Sequence, residues 1–277
     1  MRQTVSGVSE RAVCRLLHVA RASLHSRPWR PQAGPGLSPD LTAQVQRLIE
    51  QHPTFGYRRI WALLRYRDGR LVNHKAVYRI LKLKRWLVHQ RPCTPRPRVR
   101  GRISQAARSN ERWAMDVTHI PCGADGWAHL AAVIDGHDRE LIGNEFAVRS
   151  RAKEAERALE AAGLARFGTL RPAGPTPQVR SDNGLIFQSR RFRAACRDYR
   201  LQQECITPYT PEQNGIIERF FRSLKEECVW QHQFPSFTEA RRTVAEWKGW
   251  YNDGRPHQTL GYLSPREYRA RQLAKAG

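Results

Sequence analysis

Asp116 stands in the middle of an otherwise apolar, strand-like stretch, Trp113-Ala-Met-Asp116-Val-Thr-His-Ile120. A carboxylate buried there without a partner would cost several kcal/mol, and a metal ion is the usual reason to hold one in such a place. Asp182 follows a short predicted strand, Gln178–Arg180, within Ser181-Asp182-Asn183-Gly184. Asn-Gly makes a sharp turn, so this acid is presented at a strand end. Glu218 lies near the start of a long helical pattern, with Arg222 and Lys225 at i+4 and i+7 on its own face. An acid and two bases on one face suit metal ligation beside substrate phosphates. Taken alone, the same helix reads more simply as a surface ion-pair stripe.

Alternating apolar positions predict strands over 112–120, 127–135 and 140–148, joined by tight turns as an antiparallel meander. A helix over 151–164 follows, then a Gly/Pro loop over 168–177 and a short strand over 178–180. A helix over 188–200 aligns Phe192, Cys196 and Tyr199, and a last strand covers 201–206. Strands followed by alternating helices and strands predict an α/β domain with a mixed sheet. Pro208-Tyr-Thr-Pro211 breaks the chain before the helix of Glu218, whose core face is Ile217, Phe220 or Phe221, and Leu224. A further helix is predicted over 237–251, then an irregular tail over 251–268 packed by Tyr262 and Tyr268. Asp135, at the end of the second strand, reads as a turn or structural acid. His257 reads as structural or DNA-contacting rather than metal-binding.

The N-terminal part has a different character. The 277-residue chain carries a net charge of +23. Residues 1–110 hold 23 Lys/Arg against 4 Asp/Glu, whereas 111–277 are close to balance. Such a basic segment points to a polyanionic partner, most simply nucleic acid, rather than to a metabolic substrate. Val13, Leu16, Leu17 and Ala20 fall at helical spacing, and Ser23 could cap a second short helix running toward Arg27. Three better-marked helices follow. Leu41, Val45, Leu48 and Ile49 form one stripe, with Asp40 near the start. Gly56 opens the second, with Ile60, Leu63 and Leu64 inward. Asn73 caps the third, which turns Val77, Ile80 and Leu81 to one face and Lys75, Arg79 and Lys82 to another. Short helices ending in a basic stripe are what a helix-turn-helix lays against DNA, and within so basic a region DNA contact outweighs a merely solvated face. Residues 91–102, rich in Arg and Pro and without an acid, read as an extended linker. The six cysteines show no Cys-x-x-Cys or zinc-finger spacing, which implies reduced thiols in a reducing compartment. No apolar run approaches the roughly 20 residues of a membrane span.

Together these residues carry a resemblance. Thirty-five residues separate Asp182 from Glu218, Asn214-Gly215 precedes the glutamate, and Lys225 follows it by seven. The pattern resembles the DDE transposase and retroviral integrase superfamily. Four motifs narrow it to bacterial insertion-sequence transposases, specifically the catalytic protein of a second reading frame: Trp113-Ala-Met-Asp116-Val-Thr118, Ser181-Asp-Asn-Gly184, the stretch from Pro208 to Phe220, and Tyr251-Asn-Asp-Gly-Arg-Pro-His-Gln-Thr-Leu-Gly-Tyr262. His52–Ile60 and Val72–Ile80 resemble the same group's helix-turn-helix. Arg180 departs from the pattern, since many relatives carry His there, and 163–178 is richer in Pro and Gly than expected.

The resemblance implies a ribonuclease H-like core of five mixed strands with helices, preceded by an all-α helix-turn-helix region. The corresponding division is 1–90, a linker over 91–110, a catalytic core over 111–232 and a helical extension over 233–277. It implies two Mg²⁺ or Mn²⁺ ions, with Asp116 bridging both, Asp182 completing one site and Glu218 the other. The implied reaction is cleavage at the ends of a DNA element, followed by strand transfer of the freed 3′-hydroxyl. Lys225 and Arg222 would position donor DNA, while Asn214 and Gly215 shape the approach to Glu218. The implied partners are double-stranded DNA, meaning terminal repeats and target, other copies of this chain on that DNA, and an upstream-frame product as a fusion. The implied place is the bacterial cytoplasm, at the nucleoid. Two other readings compete: a non-catalytic DNA-binding regulator or partial transposase with a nuclease-like fold, and a ribonuclease H-type nuclease acting on RNA in hybrids. Intact acids oppose the first, and the basic N-terminal half with Lys225 opposes the second.

Overall fold

The computed structural model describes residues 9–25, 37–88, 106–207 and 210–276. They fall into two compact units that divide between Leu41 and Thr42. Most of the predicted linker, and Arg27, lie outside the described residues.

In the first unit, α1 (Glu10–Leu16) is capped by Ser9, whose hydroxyl accepts the Ala12 N–H, and α2 (Arg21–His25) follows. The expected inward stripe does not form. Cys14 is the buried residue, while Leu16 and Leu17 are 81% and 63% exposed. Ser23 sits inside α2 rather than capping it. Helices of two turns or fewer offer too little surface to bury an apolar face.

The three helices after them match the sequence. They are α3 (Pro39–Gln51), α4 (Tyr57–Tyr66) and α5 (His74–Leu83). Gly56 is the extended N-cap of α4, and Asn73 caps α5 by accepting the Lys75 N–H at 2.9 Å. Val45, Leu48, Ile60, Leu64, Val77, Ile80 and Leu81 are buried. α4 is clasped to the C-terminal part of the chain. Arg59 pairs with Glu227 at 3.2 Å and Arg67, at the helix's C-terminal end, with Glu267 at 3.1 Å, while His52 in the preceding α3–α4 connection stacks on Trp250.

The sheet is built from β1 (Arg112–Pro121), β2 (Trp127–Asp135), β3 (Leu141–Ala147), β4 (Gln178–Ser181) and β5 (Gln202–Cys205), in the order β3-β2-β1-β4-β5. β1, β2 and β3 are antiparallel neighbours, whereas β4 runs parallel to both β1 and β5. This is the mixed ribonuclease H-like sheet that the resemblance implies. Strand alternation sends Trp113, Met115, Ala131 and Val133 to one face, against α6 (Ala152–Phe167) and α8 (Arg190–Asp198). Ala114, Ile120, Leu130 and Ile134 go to the other, against α9 (Gly215–Glu227) and α10 (Phe237–Asp253). Asp116 has the parity of Ala114 and therefore belongs to the α9 side.

The small residues of α6 let it lie directly on β3. A Cβ at Gly143 would stand 2.2 Å from the Ala158 carbonyl oxygen and 2.6 Å from the Ala162 nitrogen. Gly143→Ala is therefore expected to destabilise the fold by about 1–3 kcal/mol, measured as a lowered urea midpoint. An unchanged midpoint would mean that α6 can retreat freely.

Two elements differ from expectation. The predicted helix over 188–200 is interrupted at Ser189, which ends α7 (Leu185–Gln188) and caps α8 by accepting the Phe192 N–H. The expected irregular tail contains α11 (Pro265–Ala276). Ser264-Pro-Arg-Glu267 starts it as a capping box: the Ser264 N–H donates to Glu267 at 2.8 Å, and the Glu267 N–H donates back to the Ser264 hydroxyl.

Beneath the β2–β3 turn, Arg166 of α6 is buried with three acids. It donates to Asp138 at 3.0 and 3.1 Å and pairs with Glu140 at 3.1 Å and Asp135 at 3.9 Å. Asp135 also accepts the N–H groups of Asn110 and His137. It is thus the structural turn acid that the sequence suggests. Its carboxyl is raised from the ordinary range, first by burial and then by Asp138.

Candidate active site

Parallel pairing of β1 with β4 places Ala114 opposite Arg180. Asp116 and Asp182 each lie two residues further on, so both reach the same level of the sheet. Asp116 accepts the N–H of Val117 at 2.7 Å. Asp182 sits in the turn after β4, where its Oδ1 accepts the Gly184 N–H at 2.9 Å. A Cβ on Gly184 would approach that oxygen to 2.9 Å, so glycine leaves room for the carboxylate. Asn183 ties the turn to the end of β5 by donating to the Ile206 carbonyl. Glu218 is in the first turn of α9 and exposed, while Ile217, Phe220 and Leu224 anchor that helix beneath it.

Asp182 and Glu218 both lie within electrostatic reach of Asp116. Burial is the main cause that pushes the Asp116 carboxyl up to about 7, and the negative charges of Asp182 and Glu218 add to it. The Val117 hydrogen bond and the Lys225 charge act the other way. Ionising Asp116 therefore meets two like charges and one opposing cation. Such a set of hard oxygen donors suits a divalent cation. Among the described residues no three His, Cys, Asp or Glu side chains lie together as a metal-binding group; Glu218 itself is exposed.

The two bases predicted beside Glu218 differ in setting. Lys225 is the cation that acts on Asp116. Arg222 pairs with Glu226 at 2.8 Å and lines a neighbouring cleft. Asn214 is buried at the start of α9, with its side-chain oxygen unpartnered among the described residues. On α5, Lys75 and Lys82 are exposed and Arg79 is half-buried, on the side away from Val77, Ile80 and Leu81. His257 is packed edge-on against Tyr251 and beside Arg255, and burial holds its pKa well below the ordinary histidine value.

Arg180 is a positioning residue that the sequence showed only as a departure. It is buried, clamps both oxygens of Glu204 on β5 at 2.8 and 3.1 Å, and donates to the Gln213 carbonyl at 3.1 Å. One guanidinium thus joins β4, β5 and the segment that launches α9. The signal available in the sequence was a cation next to Ser181-Asp182 in a short strand, with Glu204 on the following strand.

Comparison with known proteins gives three family matches: an HTH-like domain over residues 39–92 and an integrase core domain over 106–211 and again over 199–265. The chain is 31% identical over 272 residues to the transposase InsD of insertion element IS2A/D/F/H/I/K from Escherichia coli, covering 92% of this chain and 89% of that protein. InsD of IS2D from strain K12 matches with the same identity and coverage. Among solved structures, the chain is similar to one of a simian T-cell lymphotropic virus intasome in complex with a PP2A regulatory subunit. That match has 18% identity and a TM-score of 0.49, over 81% of this chain and 73% of that one.

Proposed function

The chain belongs to the insertion-element transposases with an integrase core domain, and from that membership we propose that it cuts DNA at the ends of its element and joins the freed 3′-hydroxyl to target DNA, with Asp116, Asp182 and Glu218 as the catalytic acids. The supporting observation is Asp116 itself, a half-buried carboxylate in a central strand whose pKa is raised first by desolvation and further by two other acids. That arrangement is costly unless positive charge is supplied.

Asp116, Asp182 and Glu218 would hold two Mg²⁺ or Mn²⁺ ions. Bound there, the ions would lower the pKa of an attacking water or 3′-hydroxyl and offset charge on the departing oxygen. The remaining work falls to the chain. β1 and β4 would fix the two aspartates at one level, and α9 would supply Glu218 to them. Lys225 offers a cation to a phosphate beside the acids, with Arg222 one turn away on the same helix. Asn214 and Gly215 set the start of that helix, and Arg180 holds the segment before it. Attack by water and attack by a 3′-hydroxyl are the same in-line displacement with different nucleophiles, so one site serves both and no covalent protein–DNA intermediate is required. Lys75, Arg79 and Lys82 on α5 would contact DNA as part of the HTH-like segment. Other copies of this chain assembled on the DNA, an upstream-frame product as a fusion, and action at the nucleoid in the bacterial cytoplasm belong to the same proposal. No helix among the described residues is long and apolar enough to cross a membrane.

The test is Mn²⁺-dependent nicking of supercoiled plasmid by the full chain beside Glu218→Gln. Nicking by the parent alone, with equal salt-sensitive DNA binding by both, is expected. Equal nicking by the variant would remove Glu218 from the catalytic set. Binding without nicking by either would favour the regulator or partial-transposase reading.

A further inference from the structure

A second face of α9 borders a cleft of about 900 Å³, walled also by α4, the β2–β3 turn and the segment after α10. Arg58, Arg59, Arg139, Arg219, Arg222 and Arg255 line it, against Glu226 as the one lining acid. Some of this charge is matched. Arg222 pairs with Glu226, while Arg59 and Arg255 share Glu227. Arg58, Arg139 and Arg219 have no ion pair among the described residues. Arg58 donates to the Tyr57 hydroxyl instead. Arg139 occupies a left-handed turn position (φ 63°), where a residue other than glycine is uncommon. The crowding is felt within the cleft: Arg59 is pushed down to about 10, first by burial and then by Arg255.

We propose that this cleft is a track for the phosphodiester backbone of DNA, distinct from the carboxylate site and continuous with it along α9. The inference rests on the transposase reading above and adds to it the surface that carries the strand past the acids. Three features favour a strand over a small anion. The arginines come from four separate elements, α4, the β2–β3 turn, α9 and the segment after α10. From Gly215 to Glu226 the helical wall runs about 16 Å at about 1.5 Å per residue, which is room for successive phosphates. That helix also carries Glu218 and Lys225, so a strand in the cleft leads to the acids, while Arg58 joins the track to the HTH-like segment. Guanidinium groups suit the role, since each can grip a phosphate with two hydrogen bonds.

The experiment is a salt titration of binding to a fluorescently labelled duplex, comparing the parent chain with Arg58→Ala/Arg219→Ala and Arg58→Lys/Arg219→Lys. Both residues are exposed and outside any ion pair among the described residues, so all three proteins should melt alike. The Ala pair is expected to bind at least tenfold more weakly near 0.1 M salt. Its plot of log affinity against log salt should be shallower by about two, since each phosphate that goes unneutralised removes roughly 0.9 from the slope. The Lys pair should keep most of the slope. Coincident parent and Ala slopes would overturn the track. So would inorganic pyrophosphate raising the melting temperature of the parent but not the Ala pair while DNA binding stays equal, since the cleft would then be a small-anion site. Loss of the wider function is separable: it would appear as no metal-dependent nicking by the parent, whatever the slopes.

Discussion

Arg166→Met is expected to destabilise the protein by about 3–5 kcal/mol, the range for removing one partner of a buried ion pair. At this chain length that is roughly 10 °C of melting temperature. Methionine keeps most of the volume, so the loss reports charge rather than a cavity. Arg166 is 1% exposed, and without it Asp138, with no exposed side-chain surface, would lie buried beside Asp135 and Glu140 with its countercharge gone. Ser109 would still donate to Asp138, which does not neutralise it. The abandoned acids should take up protons in the folded state at a higher pH than in the unfolded one. The defect should therefore be largest at neutral pH and shrink as pH falls through the raised folded values. Adding Asp138→Asn to Arg166→Met should recover part of the loss. A melting temperature within a degree or two of the parent's would show that water replaces the guanidinium.

Asp116→Asn should reduce DNA cleavage about a thousandfold or more, equivalent to losing about 4 kcal/mol of transition-state stabilisation. The same substitution should improve the metal-free fold at neutral pH. With its carboxyl pushed up to about 7, against an ordinary value of 3.8, the folded protein holds a proton on Asp116 that the unfolded chain has released. The folded state thus binds more protons between those values, and this group's effect on stability worsens as pH rises from about 4 to 7. In EDTA the parent's melting temperature should fall over that window more than the variant's. At pH 8, Mg²⁺ or Mn²⁺ should raise the parent's melting temperature and leave that of Asp116→Asn nearly unchanged. Equal pH profiles would mean that Asp116 is not strained by its neighbours. Equal responses to metal would mean that it does not hold the ion.

Much of the architecture could be read from local chemistry. Gly56 and Asn73 announced the starts of α4 and α5, and alternation announced β1 to β3. The acids fall on the expected elements because each stands out against an apolar or turn-forming background. α1 failed because helical spacing says nothing about whether a partner surface exists. α11 was not expected, although Ser264-Pro-Arg-Glu267 contains its own start signal. Other features could not be read locally. The Arg166 cluster joins side chains from residues 109 to 166, and the arginine cleft joins Arg58, Arg139 and Arg219 across three separate stretches of chain. Arg180 was visible as an oddity, but its role depends on β5 lying beside β4.

The clasp between α4 and the C-terminal part also defines a mechanical path. Arg59 holds Glu227, the last residue of α9, and Arg255 grips both oxygens of the same carboxylate at 2.6 and 2.7 Å. A pull or twist applied at the HTH-like helices therefore reaches the far end of the rod that carries Glu218, about two and a half turns away at 3.6 residues per turn. That load bypasses the long chain segment joining α5 to β1. The HTH-like segment and the helix that carries Glu218 are thus joined through space by one shared carboxylate, Glu227.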